Sequence, residues 1–373
     1  MVAGIMTDAQ DETIRFLSAP QSYGVDLVTT VQTHGAIVFL AGKRAYKLKR
    51  AVRYPYMDYS TPARRKYMCQ REIEVNRRLA PTLYLGVKDI VQGDDHQLHF
   101  APPACGPVVD SVVEMVRFSE DAILSRLCAR HEVDLTLMRT LAGEIADFHD
   151  KAEPAPMVDF ALATRGVVEE NAMLLKAAGC FEEQDLENYV QSLWRTFRGA
   201  DPLLKTRNRS GIIRRCHGDL HLNNIVVIDD KPVLFDAIEF NDSYVFIDPL
   251  YDIGFLVMDL ERIGERALAH ALFNRYCELR PDDEGLSLLP LYLSLRAAIR
   301  AHVAVSRSAS GDSTALDEAR RCFDLARDFL APPPPRLIAI GGFSGSGKST
   351  LARSLAPGTG AAPGALVLRS DVI

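Results

Sequence analysis

The chain has 373 residues, 47% of them hydrophobic and 25% charged, with a formal net charge of −6. This is the composition of an ordinary soluble globular protein, long enough for about two or three domains. The acidic balance argues against broad nucleic-acid or anionic-membrane binding. Seven cysteines are scattered singly with no Cys-x-x-Cys spacing, and an odd number cannot all pair. Free thiols in a reducing cytoplasm are the expectation, and a zinc site is not expected. The N-terminus lacks the basic-then-apolar order of a secretory signal, and no apolar run reaches the ~20 residues needed to span a bilayer. A cytoplasmic protein with no nucleic-acid and no membrane partner is therefore expected.

In chain order, residues 11–17 predict a short helix with a polar start and a proline exit. Residues 28–31, 36–40 and 45–49 then read as short β segments, with His34-Gly35 and Ala41-Gly42-Lys43 at the turns. Lys47 and Lys49 fall on one face of the third strand by the period-two rule, so parity cannot separate them. Thr61-Pro62 is a helix start, with Thr61 as N-cap and Pro62 at the first helical position. That helix should run to about Leu79 and carries Glu72 and Glu74. Between Lys43 and Arg78 there are twelve Lys/Arg against three Asp/Glu, which suits either a nearby anionic ligand or a solvated helix face. Residues 84–92 and 97–101 read as strands around Asp94-Asp95, and 112–116 as a further apolar strand. Helices are predicted at 120–130, 134–150, 160–178 and 182–198 from apolar spacings of three and four. His149, near the end of the second of these, reads as a helix C-terminal cation.

Next comes Cys216-His217-Gly218-Asp219-Leu220-His221-Leu222-Asn223-Asn224, a polar loop ahead of a β-branched strand at 225–228. A second short strand, 232–235, ends on Asp236 after the Asp229-Asp230-Lys231 turn. An Asp, an Asn and a second Asp are thus supplied by a loop, a strand start and a hairpin. Phosphoryl transfer in the kinase fold needs that set: one carboxylate to orient a hydroxyl, and an amide with a second carboxylate to hold magnesium. The segment, together with Leu234-Phe235-Asp236 and Ile247-Asp248-Pro249-Leu250-Tyr251-Asp252, resembles the aminoglycoside phosphotransferase and choline kinase-like families. Those families have a protein-kinase-like fold with His-Gly-Asp in place of His-Arg-Asp. The resemblance implies that Asp219 and His217 are catalytic and that Asn224 and Asp236 hold Mg²⁺ on ATP. It also implies that a strand lysine contacts the phosphates. Lys47 is preferred because it sits deeper in the strand, with Glu72 as its helix partner. The strand at 112–116 would be the hinge holding adenine, and Asp252 the acid that braces the catalytic loop.

Helices follow at 249–260, 262–278, 288–307 and 314–330. Pro332 to Pro335 is a stiff spacer and a domain boundary. Beyond it, 336–340 reads as a buried-type strand, followed by Gly342-Phe343-Ser344-Gly345-Ser346-Gly347-Lys348-Ser349-Thr350, the full P-loop pattern, and a helix. Backbone N–H groups around Gly342, Gly345 and Gly347 would cradle phosphate, Lys348 would reach its oxygens, and Ser349, beside Thr350, would ligate magnesium. A second strand, 365–368, closes the sequence, which is too short to complete an α/β nucleotide domain.

The expected fold class is α+β: a kinase-like two-lobed fold, with an antiparallel-sheet lobe (1–115) and a helical lobe (116–330). A proline linker (331–335) and an incomplete α/β P-loop domain (336–373) follow. The expected function is ATP-dependent phosphorylation of a hydroxyl on an unidentified small molecule. The rival readings are a P-loop small-molecule kinase or ATPase in which the C-terminal domain carries the main activity, and a non-catalytic nucleotide-binding module.

Overall fold

The computed structural model describes residues 5–6, 10–101, 107–156, 158–308 and 311–368. The chain divides into two compact units, the first formed by residues up to 123 with 224–228 and 233–244, the second by 124–223, 229–232 and 245 onward.

The first unit is built on a six-stranded antiparallel sheet. Its strands are β1 Val28–Gln32, β2 Ala36–Ala41, β3 Arg44–Lys49, β4 Tyr84–Gln92, β5 Leu98–Ala101 and β6 Val108–Val116, in the order β1-β2-β3-β6-β4-β5. β6 starts four residues before the expected 112. Strand alternation sorts the core into two layers. Tyr46 and Leu48 of β3 pack with Phe39, Ile90, Val112 and Leu17, the last from helix α1 Asp11–Ser18. Ala45 packs on the opposite face with Cys69, Ile73 and Val113. Each large apolar side chain so buried contributes about 1.5–3 kcal/mol. Lys47 and Lys49 share the parity of Ala45 and so face helix α2.

Helix α2, Pro62–Asn76, opens as its sequence dictates, with Arg64 N–H donating to Thr61 Oγ1 at 3.3 Å. Arg65, Cys69, Glu72, Ile73 and Asn76 are buried, a stripe at helical spacing that puts charged groups among apolar ones. The helix stops before the expected Leu79. The Asn76 amide instead bonds both backbone groups of Ala237, at 2.7 and 3.1 Å. The strands β7 Ile225–Ile228 and β8 Lys231–Leu234 form a hairpin around Asp229 and Asp230, whose φ of +48° and +60° are the left-handed pair of a tight turn.

The second unit is helical: α3 Leu124–Ala129, α4 Leu135–Lys151, α5 Phe160–Ala178, α6 Glu183–Arg209, α7 Pro249–Arg262, α8 Arg266–Leu279, α9 Leu289–Ser308, α10 Ala315–Phe329 and α11 Lys348–Leu355. The helix expected at 120–130 begins as a 3-10 turn, Glu120–Ala122. Helix α6 continues eleven residues past the expected Arg198, through Pro202. Its final turns carry Arg207, whose guanidinium binds Asp248 at 2.6 Å and Asp282 at 2.6 Å. Every residue of α7 from Pro249 to Leu260 is buried, so this helix is the core of the unit. Helix α9 with its preceding turn is long and apolar enough to cross a membrane, contrary to the sequence expectation. Two thirds of its most apolar stretch is buried inside the protein, as in a core helix.

The strands expected at 336–340 and 365–368 do not form. Leu337 is 93% exposed, and a lone extended segment has no ladder partner for its backbone groups. Residues 356–367 instead lie along α8. Arg266 donates to Pro357 O at 2.6 Å, His270 contacts Ala365 O at 3.0 Å, and Asn274 accepts from Val367 N–H at 2.9 Å. Gly364 (φ +122°) has no room for a Cβ, which would stand 2.5 Å from Ala356 O. Amide hydrogen exchange should therefore find Val367 protected and residues 336–341 fast. Asn274→Ala should abolish the Val367 protection. Uniformly fast exchange across 336–368 in the unmodified protein would show that this docking does not persist in solution.

Candidate active site

In the first unit, period-two alternation on β3 and helical spacing on α2 bring Lys47, Lys49 and Glu72 together. Glu72 is fully buried and shared: Lys47 Nζ lies 2.9 Å from Oε1 and Lys49 Nζ 2.6 Å from Oε2. Each lysine reaches a second carboxylate, Lys47 meeting Asp236 at 2.5 Å and Lys49 meeting Glu239 at 2.5 Å, which also accepts from Tyr59 OH at 2.8 Å. The result is an alternating row Asp236–Lys47–Glu72–Lys49–Glu239. Burial disfavours charge on Lys47, Glu72 and Lys49, but the attraction of their partners outweighs it. Burial pushes the Glu72 carboxyl up, yet the two lysines hold it at about 2, and both lysines sit well above their ordinary range.

The row separates the two lysines that sequence parity could not. Lys49 is 1% exposed and enclosed by Glu72, Glu239 and Tyr59, so its ammonium has no face left for a ligand. Lys47 stands at the open end, beside Asp236, whose side chain is 41% exposed. Asp236 has a φ of +62°, a left-handed conformation costly for any residue with a Cβ. Its N–H donates to Tyr84 OH at 3.1 Å, while the adjacent Phe235 N–H donates to Asn224 O at 3.0 Å. These bonds aim the Asp236 carboxylate and set Asn224 next to it in the backbone. Carboxylate and amide oxygens are hard donors that fit Mg²⁺ and not a soft metal.

In the second unit, the His217–Asn223 loop is fastened to α7. Asp252 accepts from His217 N–H at 3.0 Å and from Gly218 N–H at 2.9 Å. Gly218 has φ +84°, which explains a glycine between the histidine and the aspartate. Two turns further along α7, Asp259 accepts from Leu222 N–H at 3.2 Å. Burial pushes both carboxyls up, but His149 at Asp252 and Arg300 with Arg262 at Asp259 outweigh it and keep both ionised. His149 is not the exposed helix-end cation its position predicts. It is fully buried, its Nε2 3.1 Å from Asp252 and its Nδ1 2.9 Å from Tyr276 OH. Arg280 donates to that hydroxyl at 2.7 Å, so the tyrosine proton points at Nδ1 and Nε2 carries the ring proton towards Asp252.

Asp219 is partly exposed at the crest of this loop. Its N–H donates to His217 Nδ1 at 3.3 Å, and its carboxylate lies 3.3 Å from His221 Nε2. Burial raises this carboxyl, but His221 with Arg300 and His217 brings it below its usual range, so Asp219 is ionised. His217 is fully buried, and its ring shapes the loop from within. His149, Cys216 and Asp252 cluster closely enough to suggest a metal. The cluster reads better as a hydrogen-bonded brace: Asp252 is committed to two backbone N–H groups and a histidine, and burial pushes the Cys216 thiol well up, away from the thiolate a metal needs.

The P-loop residues also lie in the second unit. Gly342, Gly345 and Gly347 have φ of +154°, +76° and +83°, and Lys348 folds back to donate to the carbonyls of Gly342 and Phe343 at 2.8 and 2.7 Å. Ser349 and Thr350 are exposed in the first turn of α11.

Sequence reasoning took His149 for a helix-end cation and passed over Tyr59, Glu239, His221 and Asp259. The last carries a usable signal: two acids seven residues apart in an otherwise apolar helix lie on one face. The Glu72 row makes a stability prediction. Glu72→Gln should cost about 3–5 kcal/mol at pH 7, because it strands two buried ammonium groups. Because the folded pKa is depressed, that loss should be undiminished above about pH 4.5 and shrink as pH falls towards about 2. Urea unfolding of both proteins at several pH values checks this, and a pH-independent difference would refute it.

The phosphotransferase enzyme family (APH) matches residues 47–289. Uncharacterized proteins from Mycobacterium bovis and Mycobacterium tuberculosis are 32% identical over 339 residues, covering 88% of this chain and 65% of theirs. The chain thus spans 65% of the length of the curated relatives it matches. Among solved structures, a thermostable mutant of aminoglycoside phosphotransferase APH(4)-Ia aligns with a TM-score of 0.50 at 12% identity, covering 85% of this chain and 98% of that one. A choline kinase from Cryptosporidium parvum Iowa II aligns with a TM-score of 0.50 at 9% identity, covering 86% and 96%. Likeness at that identity speaks for the fold alone. With the family match spanning well over half of the chain, this protein belongs to the phosphotransferase enzyme family.

Proposed function

We propose that residues 1–330 transfer the γ-phosphate of ATP to a hydroxyl of a small molecule, in the manner of an aminoglycoside phosphotransferase. The observation that carries this reading is the Asp236–Lys47–Glu72 arrangement inside the span matched by the family. In this reading Lys47, oriented by Glu72, contacts the α- and β-phosphates. Asn224 and Asp236 would hold Mg²⁺, which neutralises charge on the phosphates when bound. Asp219, ionised at neutral pH, accepts a hydrogen bond from the acceptor hydroxyl and directs its oxygen lone pair at the γ-phosphorus. Alignment and charge neutralisation supply most of the acceleration in such transfers.

A second reading is favoured by one observation. The three P-loop glycines adopt positive φ ahead of α11, the backbone form in which N–H groups can converge on an anion. In that reading a P-loop nucleotide site is fused to the phosphotransferase and has its own role in the longer relatives. The two readings separate by mutation. Asp219→Asn should lower hydroxyl phosphorylation roughly 10²–10⁴-fold while ATP still binds. Asp236→Ala should remove the magnesium dependence of nucleotide binding, and Lys348→Ala should leave transfer within about two-fold of the unmodified protein, because the sites are distinct. Transfer that survives Asp219→Asn and disappears with Lys348→Ala would assign the chemistry to the P-loop.

A further inference from the structure

The family motif directs attention to His217, but the imidazole at the Asp219 carboxylate is that of His221. We infer that His221 is a positioning residue that holds the catalytic carboxylate in one orientation by a defined tautomer. This rests on the role proposed for Asp219 above.

Three contacts fix the ring. Its Nδ1 accepts the backbone N–H of Asn223 at 3.2 Å, so Nδ1 carries a lone pair. A neutral imidazole then has its proton on Nε2. Nε2 lies 3.3 Å from Asp219 Oδ2, so the ring donates to that oxygen. The ring packs edge-on against Phe255 of α7, with centroids 5.4 Å apart, and the residue is 8% exposed, so it has little freedom to turn. Asn223 N–H is itself placed by the loop, whose neighbouring Leu222 N–H is held by Asp259. The chain Asp259–loop backbone–His221–Asp219 therefore runs from the core helix to the carboxylate. With Oδ2 held by an N–H donor on a ring that cannot turn, the plane of the carboxylate is set by the loop. The buried, backbone-bonded ring supplies a fixed donor where a solvent molecule would supply a mobile one.

The test uses the full chain with MgATP and water as the acceptor, read as ADP formation, beside ADP affinity by calorimetry. His221→Ala should reduce turnover roughly ten- to a hundred-fold, the scale of a small misplacement of a reacting group. ADP affinity should stay unchanged. His221→Gln, which restores an amide N–H near the Nε2 position, should recover turnover to within about three-fold. In an Asp219→Asn background His221→Ala should add nothing further. Should the alanine variant fail to fold, ¹⁵N imidazole shifts of the unmodified protein decide the matter, since they must show the Nε2–H tautomer. Full turnover in His221→Ala, a glutamine variant no better than alanine, or an Nδ1–H tautomer would each overturn the inference. If Asp219→Asn itself leaves turnover intact, the kinase reading falls. If only the His221 results go the wrong way, that reading stands and this inference alone is lost.

Discussion

Two carboxylates on the buried helix α7 fasten the loop that carries Asp219. Asp252 takes the N–H groups of His217 and Gly218, and Asp259 takes that of Leu222, so the loop is tied before and after the aspartate at its crest. An acid in the middle of an apolar helix costs several kcal/mol unless it is paired, and a backbone N–H left buried costs about 1–3 kcal/mol. Each group resolves the other's penalty, and this gives the loop a single conformation. His149, Tyr276 and Arg280 extend the arrangement outward by fixing the tautomer that donates to Asp252. Helix α7 is thus both the core of its unit and the frame of the chemistry proposed for it.

The first unit solves a similar problem with alternating charge. Lys47, Glu72 and Lys49 would be costly to bury without oppositely charged partners, and the row fixes Asp236 and Glu239, three residues apart on the segment after β8, against the sheet through the two lysines. The left-handed backbone at Asp236 fits this picture, since local strain persists where surrounding contacts over-determine a position. Lys49 and Glu239 touch no ligand in this account. Their part is to keep Glu72 and the 236–239 segment in place beside Lys47, the lysine proposed to meet phosphate.

Much of this was legible in the sequence, and the exceptions have physical causes. Alternation on β3, the Thr61-Pro62 cap and the apolar spacing of the helices were readable because local chemistry dictates them. The length of α6 was not, because a buried ion pair at Arg207 carries the helix through Pro202 where propensity alone would end it. His149 was misjudged for the same kind of reason: its partners Asp252 and Tyr276 come from helices more than a hundred residues away in sequence. The two expected strands after Pro335 are absent because strand patterning needs partners, and α8 side chains bind part of this segment instead. At the site, motif spacing singled out Asp219, Asn224 and Asp236, while His221, Glu239 and Asp259 gain meaning only from the distances between elements.

The central claim is that phosphate passes directly from ATP to a hydroxyl. It is tested most directly by incubating the full chain with MgATP and a panel of polyols, amino sugars and amino alcohols, and following ³¹P NMR. The account predicts a phosphomonoester resonance that grows with ADP, needs magnesium and is lost with Asp219→Asn. Release of inorganic phosphate alone across a broad panel, undiminished by Asp219→Asn, would contradict it.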